Sequence, residues 1–280
     1  MQKLILLFFL ISFMAMAQNP TEEDIVGSYR LPSSDPQGGQ WVTIFENKTF
    51  ATFYFGGALK GTWKIEGNQV KFKTTAHPKF YLYGRKLESL IDSTHLKFSC
   101  EESSLVNLNS KTSDTFQPLF NQDANCFDYP YILKTANQFS EVAFTEKAYG
   151  QNANNSELYQ FKIPKDFNDL VVVGLSNQYT EVIEFAATYK NGNLYFDSNK
   201  KAASKRPASI EDSEDEKAYM DEFMKKELIP ELLAYGNEFF PRYDNPRDEQ
   251  LAPFTRITPI KIEKGNIKIG KNNLFTAICN

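Results

Sequence analysis

The feature that most constrains the fold is a hairpin pattern in Gly61–Phe72, which reads GTWKIEGNQVKF. Apolar and polar residues alternate on both sides of a central Gly-Asn pair, which is typical of a β-hairpin with a two-residue turn. The pattern predicts that Ile65 pairs with Val70. It also pairs Trp63 with Phe72 and places all four side chains on one face. Because an isolated hairpin is at most marginally stable in water, this apolar face needs further sheet to pack against.

Two later segments have the same form. ATYKNGNLYF at Ala187–Phe196 and IKIEKGNIKI at Ile260–Ile269 each alternate around an Asn-Gly or Gly-Asn pair. Both are predicted to form hairpins. The chain is also rich in aromatic residues, with 24 Phe and 14 Tyr, and aromatic residues favour strands. The sequence therefore predicts a mainly β protein.

Residues 1–17 have the pattern of a secretory signal peptide. Lys3 gives a short basic start, Leu4–Met16 is apolar, and Ala15-Met16-Ala17 is an Ala-x-Ala cleavage pattern. The apolar run has about 13 residues, whereas a membrane-spanning helix needs about 20. We therefore expect an exported protein, periplasmic or extracellular after cleavage, that does not span a membrane. The net charge of −4, without a basic stripe, argues against a nucleic-acid partner.

Six or seven short strands in meander order are predicted in residues 21–100, as in a small barrel or sandwich. A GxW-like start at Gly27-Ser28-Tyr29, the segment TIFENKTF and the hairpin GTWKIEGNQVKF together resemble the lipocalin-like domains of bacterial secreted proteins. Tyr29 stands where that family usually has Trp. The resemblance implies an up-and-down β-barrel around a cavity, and it supplies no catalytic residues.

The predicted fold is an antiparallel lipocalin-like barrel or sandwich followed by a second β-rich region with one long amphipathic helix. The predicted domains are 18–100 for the lipocalin-like part, 101–156 for an irregular connecting region, and 157–280 for the β-rich region. The helix is expected at about 213–240, because apolar residues recur there at three- and four-residue steps. Pro230 is expected to kink this helix or to start a second one.

Three cysteines leave two alternatives open. Cys100 and Cys126 are candidates for a disulfide that closes a loop of about 25 residues, worth about 3 kcal/mol. Cys279 is then the unpaired thiol. In the other alternative all three cysteines are free.

The chemical motifs in the chain are incomplete. His77 and His95 are the two histidines, and neither lies in a spacing typical of a metal site. A partial nucleophile-elbow pattern at Gly174-Leu175-Ser176 lacks its second glycine. We therefore predict no catalytic residue, metal or cofactor. Paired carboxylates for glycoside hydrolysis remain open, because their separation in space is not visible in the sequence.

The function favoured by the sequence is non-enzymatic binding of a small apolar molecule or a glycan. The predicted ligand-binding residues are Tyr29, Trp41, Phe53, Trp63 and Phe72. Small barrels either fill their interior with side chains or hold a ligand there, and both outcomes are open. Two other functions are considered: a structural or protein-interaction module of the cell envelope, and a secreted carbohydrate-active hydrolase. The oligomeric state is not predicted.

Overall fold

The computed structural model describes residues 19–31, 39–54, 57–100, 103–108, 114–122, 124, 131–147, 156–196, 202–206 and 214–277. In the described part of the chain, strand residues far outnumber helix residues, which confirms the predicted mainly β class. It divides into two units: residues 1–76 with 181–226, and residues 77–180 with 227–280. We call them the barrel unit and the sandwich unit. The predicted signal peptide lies outside the described residues.

The helices are α1 (Glu22–Ile25), α2 (Asn177–Thr180), α3 (Glu214–Lys225) and α4 (Asp248–Leu251). The strands of the first half of the chain are β1 (Gly27–Arg30), β2 (Trp41–Ile44), β3 (Thr49–Tyr54), β4 (Gly57–Glu66), β5 (Gln69–Thr74), β6 (Phe80–Arg85), β7 (Thr94–Ser99), β8 (Ser104–Asn107), β9 (Thr115–Pro118) and β10 (Tyr131–Thr135). Those of the second half are β11 (Glu141–Glu146), β12 (Ser156–Lys162), β13 (Asp169–Gly174), β14 (Glu184–Lys190), β15 (Asn193–Phe196), β16 (Ala202–Lys205), β17 (Leu232–Leu233), β18 (Phe254–Ile257), β19 (Lys261–Gly265) and β20 (Lys268–Ile269).

The barrel unit is a closed barrel of eight strands in the order β1-β16-β15-β14-β5-β4-β3-β2. All neighbouring strands are antiparallel. The hairpin of β4 and β5 has the predicted register, with Trp63 opposite Phe72 and Ile65 opposite Val70. Its turn places Gly67 at φ 64°, a left-handed conformation that glycine adopts without strain. The predicted hairpin is therefore confirmed, and of the two predicted architectures, barrel or sandwich, this unit has the antiparallel barrel.

The barrel is discontinuous in sequence, which differs from the predicted domain boundary at residue 100. The chain leaves the barrel unit after Ala76 and returns at Glu181. Strands β5 and β14, which flank this excursion, pair directly with each other. Strands β6 and β7, which we had assigned to the first domain, belong to the sandwich unit. A pairing between strands so far apart in the chain leaves no local pattern in the sequence.

The sandwich unit packs two six-stranded sheets around one core. The first sheet has the order β10-β7-β13-β6-β18-β17, and the second has the order β19-β12-β11-β8-β9-β20. Leu82, Phe98 and Val172 of the first sheet pack in one cluster with Phe144 and Phe161 of the second. Strands β8 to β11 lie within residues 101–156, so the region predicted to be irregular supplies four described strands. The expected second β-rich region is present, with other boundaries.

The predicted long helix at about 213–240 is wrong. Helix α3 ends at Lys225, and Leu232–Leu233 form strand β17, which pairs with β18. Leu233 is fully buried while Leu232 is exposed, which is the alternation of a strand. Pro230 lacks the backbone N–H that an α-helix requires, and Gly236 has φ 91°. Both residues disfavour helix beyond α3. No helix in the described ranges is long and apolar enough to cross a membrane.

Candidate functional site

The five predicted ligand-binding residues lie on two faces of the barrel wall. Tyr29, Trp63 and Phe72 belong to the buried interior cluster, to which all eight strands contribute. Trp41 and Phe53 belong to a separate cluster beneath helix α3. The division follows from strand alternation, because neighbouring side chains point to opposite faces of a sheet. The single binding wall that we predicted is therefore split in two.

The interior cluster is a packed core. Phe72 lies edge-on to Phe50 with ring centroids 5.0 Å apart, and it stacks on Phe185 at 4.8 Å. Trp63 is 3% exposed, and its indole Nε1 donates a hydrogen bond to the carbonyl oxygen of Phe45 at 2.9 Å. These rings fill space against one another and leave the Trp63 donor satisfied. A ligand between them would have to displace side chains.

Tyr29 links helix α1 to the interior cluster. Its hydroxyl donates to the carbonyl oxygen of Ile25 at 2.6 Å. The neighbouring carbonyl oxygen of Asp24 accepts from the Tyr189 hydroxyl at 3.1 Å and from Lys205 Nζ at 2.9 Å. Burial raises the pKa of the Tyr29 hydroxyl well above its ordinary value of 10, so it remains a neutral donor. The role of Tyr29 in the structure is to fasten α1 over the interior cluster.

The second group of residues, which we call the α3 cluster, lies on the opposite face of β2, β3 and β4. Its members are Trp41, Phe45, Ala51, Phe53, Ala58, Met220, Phe223 and Met224. Trp41 and Phe53 are cross-strand partners whose rings stack 5.2 Å apart. The ring centroid of Phe53 also lies 4.9 Å from that of Phe223 and 6.4 Å from that of Tyr219. Tyr219 is 58% exposed, so the cluster reaches the surface.

Lys60 fastens the C-terminal end of α3 to the sheet. Its ammonium donates to the carbonyl oxygens of Phe223, Met224 and Lys226 at 3.3, 3.4 and 2.5 Å. The last carbonyls of a helix have no partner within the helix, and a cation near them also interacts favourably with the helix dipole. The position of α3 over the cluster therefore depends on one lysine and on apolar packing.

Trp41 differs from Trp63 in one respect that bears on binding. Its indole Nε1 is buried and has no hydrogen-bond partner among the described residues. An unpaired buried donor costs about 1–3 kcal/mol, and native proteins contain few of them. The α3 cluster thus combines an apolar surface with one donor that lacks an acceptor.

The sequence did not predict a row of charged residues on the first sheet of the sandwich unit. Lys134 of β10, His95 of β7, Asp169 of β13 and Arg85 of β6 are partners across adjacent strands. They lie on the face away from the main core, since the neighbouring Leu96 and Leu170 point into it. Lys97, two residues after His95 on the same face of β7, binds Asp169. We call these five residues the charged row.

Asp169 is the centre of this row and is 0% exposed. Arg85 Nε donates to its Oδ2 at 2.9 Å, and Lys97 Nζ binds its Oδ1. Arg85 Nη1 donates to the carbonyl oxygens of Gln250, at 3.0 Å, and Ala252, while Nη2 donates to the Tyr243 hydroxyl at 3.1 Å. Arg85 therefore has acceptors on all three of its nitrogens.

Two shifted pKa values accompany this arrangement. Burial lowers the pKa of the Lys97 ammonium, although Asp169 acts in the opposite direction. Burial also lowers the pKa of His95, and the charges of Lys97 and Lys134 lower it further. The only sequence signal was Asp169 itself, a carboxylate directly before the apolar run Leu170–Val173. Its partners lie on strands distant in the chain, so they could not be identified from spacing.

The remaining candidates are the cysteines and the side chains that could bind a metal ion. Burial raises the pKa of the Cys100 thiol to about 12. Cys126 lies outside the described residues, so the disulfide stays a prediction. Among the described residues, no three His, Cys, Asp or Glu side chains are grouped so that they could hold a metal ion.

The chain has no match among known proteins that would name a family. Neither protein-family models, nor curated proteins, nor solved structures gave a match. The resemblance to lipocalin-like domains stays a prediction. The function is therefore inferred from the geometry of the α3 cluster.

Proposed function

We propose that this protein is an exported, non-enzymatic binding protein whose barrel unit takes a small, mainly apolar molecule at the α3 cluster. The observation that carries the proposal is the Trp41 indole, whose buried Nε1 has no acceptor among the described residues. A ligand with one hydroxyl or carbonyl oxygen would supply that acceptor. The aromatic and methionine side chains around the indole would bind its apolar part.

The composition of the cluster suits apolar ligands of different shapes. Met220 and Met224 have flexible, polarisable side chains, which adapt to differently shaped apolar groups. Trp41 and Phe53 provide a stacked pair of rings at 5.2 Å, a surface on which flat or cyclic molecules pack well. The site needs no residue to act as an acid, base or nucleophile.

Access to the cluster requires only a shift of α3. The helix has 12 residues, and isolated helices of about that length are marginal in water, so α3 depends on its packing. A ligand bound under α3 would pack against Met220 and Phe223 and so replace some of the apolar contacts that the shift of the helix breaks. The barrel wall itself, closed by hydrogen bonds on every strand, need not open.

A glycan is the second candidate ligand. Tyr219 is 58% exposed beside the Phe53 ring, and sugar rings present C–H groups to exposed aromatic faces. Hydroxyl groups of a sugar would also give Trp41 an acceptor. A glycan would contact Tyr219 first, whereas an apolar ligand would depend more on Phe53 and Phe223.

Two tryptophans allow a matched test, because the chain contains only Trp41 and Trp63. The probe is prodan, an uncharged naphthalene dye with one ketone oxygen, whose binding is followed by energy transfer from tryptophan. We expect saturable binding that Trp41→Phe weakens about tenfold, equal to about 1.4 kcal/mol, since one hydrogen bond is lost. Trp63→Phe should leave the affinity unchanged, because Trp63 belongs to the packed interior.

The opposite result would place the site elsewhere. If Trp63→Phe weakens prodan while Trp41→Phe does not, the ligand enters the barrel interior. If neither variant binds less than the parent protein, or binding does not saturate, the proposal is wrong. Phenylnaphthylamine, a similar apolar dye without the ketone, should bind both variants alike and so reports the hydrogen bond separately from the apolar contact. Tyr219→Ala, tested with oligosaccharides, addresses the glycan alternative.

A further inference from the structure

The charged row of the sandwich unit carries more positive than negative charge in its buried part. Arg85 and Lys97 both bind Asp169, one at each carboxylate oxygen. All three side chains are at most 6% exposed. Two buried cations therefore share one carboxylate, and a third cation, Lys134, lies two strands from Asp169 across the same sheet.

Lys97 is the member whose hydrogen bonds are incomplete. An ammonium group has three donors. In the part of the chain that the structure describes, the Lys97 ammonium has one acceptor, Asp169 Oδ1. The rings of Tyr243 and Phe254 lie at 5.9 and 5.6 Å from Nζ, where a cation–π contact is weak. A buried ammonium with unused donors is costly unless an acceptor completes it.

The exposed end of the row is the side from which such an acceptor would come. Lys134 is exposed and His95 is half-buried, whereas Asp169 and Arg85 are buried. Lys134 lies on β10, the strand at the edge of the sheet. His95 and Lys97 alternate with the buried Leu96 and Phe98, so they share the outer face with Lys134. The three residues therefore form one patch on the outer face of the sheet, next to its edge.

The charges in this patch act on each other. The positive charges of Lys97 and Lys134 lower the pKa of His95, and Asp169 raises it. At Lys97 the Asp169 carboxylate raises the pKa by more than Arg85 or Lys134 lowers it. For both His95 and Lys97, burial is the largest cause of the lowered pKa. A negative charge near these nitrogens would favour their protonated forms. At His95 the two lysines together outweigh the carboxylate, so the field there has the sign that attracts an anion.

We propose that Lys97, Lys134 and His95 form a binding site for a small oxyanion, the carboxylate or phosphate group of a ligand, on the outer face of the first sheet of the sandwich unit. Lys97 Nζ donates to the oxyanion with the hydrogens that Asp169 does not take. Lys134 pairs with the oxyanion from the edge strand. Asp169 and Arg85 hold Lys97 in place and do not touch the ligand.

This site is independent of the proposed function of the barrel unit. It involves no residue of the α3 cluster and a different chemical class of ligand. Loss of prodan binding would leave it untouched, and loss of anion binding would leave the α3 cluster untouched. The alternative is that the charged row only holds strands together.

The test uses the full chain and two anions, inorganic phosphate and acetate, with proton NMR of the histidine rings. The chain has two histidines, and His95→Gln assigns their signals. We expect one of the anions to raise the pKa of His95 saturably and to leave His77 unchanged, because binding and protonation are reciprocally linked. A response to acetate alone identifies a carboxylate ligand, and a response to phosphate alone identifies a phosphate ligand.

Two lysine variants distinguish anion binding at this site from a general effect of the protein's charge. Lys134→Gln should weaken anion binding about threefold, as expected for one exposed ion pair. Lys264→Gln makes the same charge change at an exposed position of β19 in the same unit and should have no effect. Equal weakening by both variants, equal shifts of both histidines, or no response up to high anion concentration would overturn the proposal. Since both lysines are exposed, neither change should prevent folding.

Discussion

The interior cluster of the barrel and the ion pairs of Asp169 in the sandwich unit are both buried, yet they hold their polar atoms in opposite ways. In the barrel, the polar tips of Tyr29 and Trp63 are neutral and donate to backbone carbonyls. In the charged row, Asp169 binds two cations and leaves one of them with a single acceptor. A neutral donor with one acceptor has its hydrogen bond satisfied. The two cations on one carboxylate leave the ion pairs with one positive charge in excess.

The largest effect should come from removing the only carboxylate of the charged row. Asp169→Asn leaves Arg85 and Lys97 buried without a counter-charge, which should lower the free energy of unfolding by about 3–5 kcal/mol. Urea unfolding measures this. Glu263→Gln is the control, because Glu263 pairs with Lys261 at a partly exposed position and should change stability by less than about 0.5 kcal/mol. A cost for Asp169→Asn no larger than that control would mean that the row does not depend on its carboxylate.

A smaller effect is expected from the matching change in the barrel. Tyr29→Phe removes the hydroxyl that donates to Ile25 at 2.6 Å and leaves the ring in the interior cluster. The cost should be about 1–3 kcal/mol, since a buried carbonyl loses a neutral donor. The measurement is again urea unfolding. If Tyr29→Phe costs as much as Asp169→Asn, the contrast between neutral and charged burial does not hold.

The smallest effect is a change in how stability depends on pH. The folded protein lowers the pKa of His95 below its ordinary value of 6.5, so the unfolded chain binds a proton first as the pH falls. Stability should therefore decrease below about pH 6.5. The groups that act on His95 are Lys97, Asp169 and Lys134.

His95→Gln isolates this contribution. The variant should lose stability less steeply than the parent protein between about pH 6.5 and 5, as measured by unfolding at several pH values. Adding the anion that binds should reduce the difference, because the anion favours protonated His95. Identical pH profiles for parent and variant would show that the row does not influence His95.

Much of the barrel could be predicted from local patterns. Alternation around Gly67 gave the register of β4 and β5, and the same pattern in Ala187–Phe196 predicted the hairpin of β14 and β15. The third such pattern, Ile260–Ile269, was wrong as a hairpin. Strand β19 pairs with β12, whereas β20 pairs with β9 at the other edge of the sheet. The same local pattern thus gave two hairpins and two separate edge strands.

The candidate sites could be predicted only in part. All five aromatic residues that we named lie at least partly buried, but alternation alone does not say which face of a strand becomes the barrel interior. Trp41 and Trp63 therefore appeared equivalent in the sequence and are not. Lys97 and His95 gave no signal, because their partner Asp169 lies more than 70 positions away on a strand parallel to theirs.

By itself, the sequence determined the mainly β class, the turn at Gly67 and the pairing of Trp63 with Phe72. These depend on residues close together in the chain, where side-chain period and turn geometry leave few alternatives. The tertiary structure decided the closure of the barrel by β14 to β16, the end of α3 at Lys225 and the charged row. Each of these depends on which distant strand supplies the partner, and that choice is made by packing of the whole unit.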